Sequence, residues 1–285
     1  MIPRAPTSGG PNPVDLHAHT TVSDGMLAPA ALVQEAARRG LRVLGITDHD
    51  TVGGLDEAET EAGRLGLTLV PGIELGSDGG GTGHEIHVLG YFVERRDPGF
   101  LDALDGLAAR RRERVDRIIQ RLAEVGAPVA AERVAEISGT GSVGRPHVAR
   151  AMVEAGHVPD LPAAFDRFLA SGRPAYVPRH PFSPEDAVRL VRDAGGVPVL
   201  AHPLTTGDVE ATVDRLVKVG LKGMEVYYGA YPPETQTALR AIADEKGLVP
   251  SGGSDFHGWA GKTGRDLGGP AVPEDTADLL FAARG

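Results

Sequence analysis

Histidines and carboxylates recur in this chain in short groups of a kind that can grip metal ions. They are Asp15-Leu16-His17-Ala18-His19 with Asp24 behind it, Thr47-Asp48-His49-Asp50, Glu74, His87, His202, and Asp255-Phe256-His257. In extended backbone, residues i and i+2 face the same way, so His17 with His19, and Asp255 with His257, can each clamp a common cluster. Imidazole and carboxylate donors without sulfur suit a catalytic centre that leaves positions open for water and substrate. A carboxylate such as Glu74 can bridge two ions, and ions ~3.5–4 Å apart would polarise a phosphoryl group and bring a shared water toward pKa ~7. Asp48 alternates away from His49 and is expected to orient it rather than to bind metal. His157 and His180 read as loop residues outside the cluster.

The elements that must position these groups are short β-branched runs alternating with helical patterns, the signature of βα units and a parallel sheet. Expected strands are 14–17, 42–47, 68–74, 85–92, 197–202, 223–227 and 248–252. Six of the ten histidines fall at or just past the carboxyl end of a strand, the face on which α/β barrels carry their active sites. Helices are expected over 29–39 and 55–65, each ended by glycine (Gly40, Gly66), over the stretch opened by Ser183-Pro184-Glu185-Asp186, and over 208–219 and 233–246. Between about Phe100 and Gly172 only helical patterns occur, beginning with a long helix that carries Arg110-Arg111-Arg112-Glu113-Arg114. The run Arg110–Arg117 reads as the solvated face of that helix, or as a track for RNA. The fold class expected is α/β, a distorted seven-unit barrel built from 14–98 and 176–285. Residues 99–175 are expected to form a helical insertion over its carboxyl end, and residues 1–13 a flexible tail.

Composition narrows the function. A length of 285 residues suits one barrel with an insertion better than two domains. The net charge of −10, with both signs mixed along the chain, offers no basic tail for nucleic acid. There is no cysteine, which excludes disulfides, thiolate zinc sites and cysteine nucleophiles. No apolar run approaches the ~18 residues of a membrane span, and the opening MIPRAPTSGGPNP has no apolar signal core. A cytoplasmic location, no membrane partner and no DNA duplex are expected; the oligomeric state is not legible.

Five motifs in order, spanning residues 15–257, resemble those of the PHP (polymerase and histidinol phosphatase) family. They are Asp15-Leu16-His17-Ala18-His19 with Ser23-Asp24-Gly25, Ile46-Thr47-Asp48-His49-Asp50-Thr51, Pro71-Gly72-Ile73-Glu74, Ala201-His202-Pro203 and Gly253-Ser254-Asp255-Phe256-His257. The resemblance implies a distorted (β/α)7 TIM-like barrel with two or three divalent ions, Mn, Zn or Fe. By position, His17, His19, Glu74 and Asp255 would hold one ion, Glu74, His87 and His202 a second, and Asp24, His49 and His257 a third. Many relatives have His where this chain has Asp24. His84 competes with His87 for its place, and His87 is preferred because it lies within the apolar strand 86–91. The catalytic group would be Asp255 with His202 and His257, either of which would also shuttle the leaving-group proton.

Within that family, Gly144-Arg145-Pro146-His147-Val148-Ala149-Arg150 and Gly172-Arg173-Pro174-Ala175-Tyr176-Val177-Pro178 resemble one branch. Its members remove phosphate from small nucleotides, notably adenosine 3′,5′-bisphosphate and AMP, and some trim short RNA from the 5′ end. Arg145, His147 and Arg173 are then the expected substrate-binding residues: guanidinium forks grip phosphate bidentately, and His147 opens a helix whose N–H groups favour an anion. The expected activity is a metal-dependent phosphoric monoester hydrolase acting on a small nucleotide. Its rivals are an exonuclease on short RNA, a histidinol-phosphate-type phosphatase and a non-catalytic metal-binding domain. Glu225 and Tyr227 at the end of the sixth strand read equally as pocket lining or barrel packing. Trp259 and Lys262 are candidates for substrate contact.

Overall fold

The computed structural model describes residues 13–79, 85–229, 231–259 and 265–284; residues 1–12 of the expected tail, His84 and Lys262 lie outside them. Seven strands form one sheet in sequence order: β1 (Val14–Asp15), β2 (Val43–Ile46), β3 (Thr68–Asp78), β4 (Glu85–Tyr91), β5 (Val197–Leu200), β6 (Gly223–Tyr228) and β7 (Val249–Gly253). The two ends of the sheet meet. Leu16 N donates to Gly252 O at 3.3 Å, His19 N to Phe256 O at 2.9 Å, and Ala18 bridges Phe256 in parallel. The result is a nearly closed barrel. Gly253 makes that closure possible, because a Cβ there would stand 2.4 Å from His17 N.

One strand departs from the expected parallel sheet. β4 runs antiparallel to both β3 and β5, pairing His87 with Gly76 and Val88 with Leu200. Its amino end therefore lies at the face where its neighbours end. His87 reaches the site from near the start of its strand rather than from the carboxyl end expected.

The pleat explains which side chains look inward. On β4, Ile86 and Val88 join the apolar layer beneath the helices, while Leu89 and Tyr91 pack inside the barrel with Val14, Leu16, Val70, Val197 and Val199. Period two then puts His87 on the inward face with Leu89 and Tyr91. On β3, Ile73 and Leu75 face the helices and leave Glu74 inward. Burying each large apolar side chain contributes about 1.5–3 kcal/mol, so the register that aims His87 and Glu74 is fixed by the hydrophobic alternation around them.

The helices are α1 (Pro29–Arg38), α2 (Leu55–Leu65), α3 (Pro98–Glu124), α4 (Ala131–Ser138), α5 (Arg145–Glu154), α6 (Leu161–Ala164, continued by a π turn over Phe165–Leu169), α7 (Pro184–Asp193), α8 (Val209–Val217), α9 (Pro233–Lys246) and α10 (Thr276–Ala282). α7 shows why they form where they do. Ser183 and Asp186 make a reciprocal capping box, Pro184 occupies the first turn, and Pro184, Ala187, Val188 and Val191 form the buried stripe. α3 crosses between two cores. Its Phe100, Leu104 and Leu107 pack against the barrel layer, whereas Val115, Ile118 and Leu122 belong to a separate core with α4, α5 and α6. Among the described residues no helix is long and apolar enough to cross a membrane.

Candidate metal centre

Glu74 is the hub of the site. Its Oε1 lies 2.7 Å from His87 Nδ1 and 3.0 Å from His202 Nε2. Its Oε2 lies 3.3 Å from His17 Nε2, 3.1 Å from His19 Nε2 and 3.2 Å from His49 Nδ1. Asp255 Oδ1 closes on the same two imidazoles, 3.5 Å from His17 Nε2 and 3.2 Å from His19 Nε2. Asp24 Oδ1 stands 3.2 Å from His257 Nε2, and its Oδ2 3.8 Å from His49 Nε2. Three ligand groups result: His17 with His19, Glu74 and Asp255; His49 with Glu74 and His87; and His19 with Asp24, His49 and His257. The first matches the expected set. The other two gain His49 and His19 respectively, and His202 faces the second through Glu74.

These donors fit cations. His19 Nδ1, Asp24 Oδ1 and His49 Nδ1 are buried with no hydrogen-bond partner. His17 Nε2 and His19 Nε2 point at one another across 3.1 Å, where two bare lone pairs would repel unless a cation or proton lay beside them. The electrostatics show the same tension. Burial alone would lower His19, but Asp255 and Glu74 outweigh it and raise it to about 10. Burial likewise opposes charge on His17, yet Glu225, Glu74 and Asp255 hold it well above its ordinary value. Burial pushes His49 down to about 3 against the pull of Glu74 and Asp24. Burial would raise Glu74, Asp24 and Asp255, but the imidazoles around them keep all three well below the carboxylate range. Protons and divalent ions compete for such a cluster. The backbone is strained here as well, with φ of +27° at His202, +52° at Asp255 and +53° at Asp50.

A shell of buried groups orients the ligands. Glu225, fully buried, accepts from His17 Nδ1 at 3.0 Å and from His202 N at 2.7 Å. Asp15 accepts from the backbone N–H of His17, Ser254 and Gly268. Tyr228 Oη donates to Asp255 Oδ2 at 2.7 Å, and Arg265 pairs with that same oxygen. Asp48 does not orient His49. It accepts from Thr20 N, Thr20 Oγ1 and Ser23 Oγ, fixing the turn that carries Asp24. Tyr227 packs with the barrel layers and receives Arg240 at its hydroxyl. His157 and His180 bond to loop carbonyls of Pro128 and Pro181.

Above the cluster lies a cavity of about 390 Å³ lined by Asp24, His49, Glu74, His87, His202, Asp255 and His257 on one side. The facing wall is Pro146, Leu161, Pro162, Phe165 and Trp259. Trp259 is tied down by Nε1 donating to Asp24 O at 3.0 Å and by its ring lying 4.6 Å from that of His257.

Of Arg145, His147 and Arg173, the expected substrate-binding residues, none lines this cavity. Arg145 borders an adjoining recess and pairs with Glu85 at 3.0 Å. His147 is buried and turned away: its Nδ1 accepts from Gly144 N, and its Nε2 meets Ser23 O, both at 3.0 Å. It positions the loop of Asp24. Arg173 is half-exposed and paired with Asp166, and it lines neither space. The arginine run is not uniformly solvated either, since Arg111 and Arg114 are buried and paired with Asp50 and Glu85. Their signal was in the spacing: Leu104, Leu107, Arg111, Arg114, Ile118 and Leu122 follow one helical stripe. Arg179, which also lines the recess, carried no sequence signal of its own.

Comparison with known proteins places this geometry. The PHP domain profile matches residues 15–131. The chain is 36% identical over 249 residues to the 5′-3′ exoribonuclease Rnm of Escherichia coli, covering 85% of this chain and 84% of that protein. It is 33% identical over 267 residues to the 3′,5′-nucleoside bisphosphate phosphatase of Chromobacterium violaceum, covering 90% of each. A crystal structure from Bifidobacterium adolescentis, described as that of a metal-dependent phosphoesterase, superposes with a TM-score of 0.86 at 30% identity, over 95% of this chain and 96% of that one.

Proposed function

Because the chain belongs to the PHP-domain family it is a metal-dependent phosphoesterase, and we propose that it removes phosphate from small nucleotides, a 3′,5′-bisphosphonucleotide or a 5′-nucleotide. The observation that carries this reading is the pairing of the ligand cluster with an apolar and aromatic wall across one cavity, next to Arg145. Trp259 and Phe165 offer ring faces on which a base can stack, and Arg145 offers a charge-assisted fork for a second phosphate. In this reading residues 99–175 are an insertion that supplies the nucleoside side of the pocket.

Divalent ions bound by the cluster would supply Lewis acidity and an activated water. The protein's part is to hold and orient. Glu225 accepts the Nδ1 proton of His17 and so leaves Nε2 bare toward Glu74 and Asp255. The Asp255 carbonyl, an acceptor only, takes the Nδ1 proton of His257 at 2.9 Å and leaves its Nε2 bare. Thr205 gives its hydroxyl proton to His202 O and so accepts from His202 Nδ1 at 3.0 Å, with the same result. Nε2 of either ring then has one lone pair to offer, to an ion or to the leaving-group proton, and not to both at once. Arg265 and Tyr228 fix Asp255 from behind.

The likeness to the Rnm exoribonuclease favours a second reading, trimming of short 5′-phosphorylated RNA. Phosphate release with Mn²⁺ should be measured on adenosine 3′,5′-bisphosphate, AMP, histidinol phosphate, p-nitrophenyl phosphate and a short RNA. Turnover of a nucleotide above the generic esters is expected. Hydrolysis of the generic esters with none of any nucleotide defeats the reading.

A further inference from the structure

Asp255 divides its two carboxylate oxygens between two tasks. Oδ1 faces the ligand group, 3.5 Å from His17 Nε2 and 3.2 Å from His19 Nε2. Oδ2 takes two donors, the hydroxyl of Tyr228 at 2.7 Å and the guanidinium of Arg265. Arg265 is the one Arg or Lys among the described residues that line the main cavity, and its side chain is 30% exposed there. Its guanidinium carbon also lies over the ring of Tyr228, 5.4 Å from the ring centre.

The turn that carries Arg265 is tied to the strand that carries His17. Gly268 N donates to Asp15 Oδ2 at 2.8 Å, while Asp15 Oδ1 accepts from His17 N and Ser254 N. Leu267 is buried in the core under α1 and α2. Arg265 is thus held against Asp255 by its own backbone and by Tyr228, and not by the carboxylate alone.

A fixed cation is unexpected beside a cluster that fits cations. A guanidinium one carboxylate away from a divalent ion repels it. It also offsets the charge of Asp255: the group of His17, His19, Glu74 and Asp255 has two carboxylates, and Arg265 brings its net charge from −2 to −1. The arrangement has a use in exchange for that loss of affinity. With Oδ2 saturated, Asp255 has only Oδ1 for an ion and cannot chelate it with both oxygens. A coordination position is then left for water or a phosphoryl oxygen, and an ion less neutralised by its ligands polarises that group more strongly. Resting on the metal-dependent reading above, we propose that Arg265 is a positioning residue that keeps Asp255 a one-oxygen ligand and holds its charge back from the ion, lowering ion affinity and keeping an open, electrophilic position. Tyr228 alone does not suffice, since a neutral hydroxyl leaves the carboxylate charge in place.

The test has two arms. Mn²⁺ binding to EDTA-treated and dialysed protein is measured by calorimetry in the wild type, Arg265→Gln and Arg265→Lys. Their kcat and KM are then measured at saturating Mn²⁺ on whichever ester the wild type turns over best. Arg265→Gln should bind Mn²⁺ about tenfold more tightly, the factor that loss of one unit charge ~6 Å from a divalent ion is worth even in water-like surroundings. Its kcat should nevertheless fall ~10- to 100-fold with KM little changed. Arg265→Lys keeps the charge and should keep the wild-type Mn²⁺ affinity while recovering part of kcat. If Arg265→Gln does not fold, Arg265→Met, which retains an apolar contact with Tyr228, carries the same expectation. Weaker Mn²⁺ binding, with activity regained at high Mn²⁺, would make Arg265 an ordinary support for a ligand and overturns the proposal. A raised KM with kcat and Mn²⁺ affinity unchanged would make it a substrate contact and overturns it equally, as does no change in any of the three. Wild-type protein that binds no Mn²⁺ instead overturns the metal reading itself.

Discussion

Glu225 shows how much of a metal site lies behind its ligands. One oxygen holds the ring of His17 and the other holds the backbone N–H of His202, whose φ of +27° is costly without such a tether. In Glu225→Gln the amide can still accept from one of these donors but presents N–H to the other. Loss of an orienting carboxylate typically weakens metal binding ~10- to 100-fold. Ion content after dialysis, read by elemental analysis, should fall accordingly while the circular-dichroism spectrum stays that of the wild type. Full retention of metal would show that Glu225 merely fills space. A direct ligand should behave more severely: His17→Asn removes the contact to both Glu74 and Asp255, and turnover should be nearly abolished even with added Mn²⁺.

At the scale of elements, β3 and β4 decide which side chains meet, and they also mark what the sequence could and could not disclose. The inward histidines and Glu74 were legible because alternation and strand ends are local properties. The direction of β4 was legible too but was passed over: the link 75–84, ten residues with five glycines, is too short for a crossover helix and calls for a hairpin return. The place of Arg179 in the recess was not legible, since its partner carbonyl on Gly76 lies 103 residues away in sequence. Asp48 was misplaced for a similar reason: alternation says which way it turns from His49, but its actual partners, Thr20 and Ser23, come from another loop. The bare backbone at Gly76 gives a test of this geometry, because a Cβ there would stand 2.3 Å from Arg179 Nη2. Gly76→Ala should displace Arg179, which shares Glu85 with Arg145, without touching a ligand. Its kcat/KM for adenosine 3′,5′-bisphosphate should drop about 10-fold, with a smaller change for p-nitrophenyl phosphate. Equal losses on both esters would mean that the substitution acts through β3 and Glu74 rather than through the arginine.

For the whole molecule the ions are a structural matter as well as a chemical one. The ligands come from loops after β1, β2, β5 and β7 and from β3 and β4, so the cluster ties nearly the full circumference of the barrel together. Without ions those strand ends must hold orphaned nitrogens and carboxylate oxygens out of contact with water, at His19, Asp24 and His49. A ligand that binds only the folded chain stabilises it by RT ln(1 + [L]/Kd), about 2.7 kcal/mol at a hundredfold excess over Kd. At about 2–4 °C per kcal/mol for a chain of this general size, Mn²⁺ should raise Tm by about 5–10 °C over the EDTA-treated protein. The same titration should restore phosphate release, with both signals rising over one range of ion concentration. Glu74→Gln should abolish the restored activity and reduce the Tm response, because Glu74 belongs to two of the three ligand groups. A Tm that ignores Mn²⁺ while activity still depends on it would mean that the ions bind as readily to the unfolded chain, or arrive only with substrate. Either outcome would end the view that the folded barrel presents a preformed metal site.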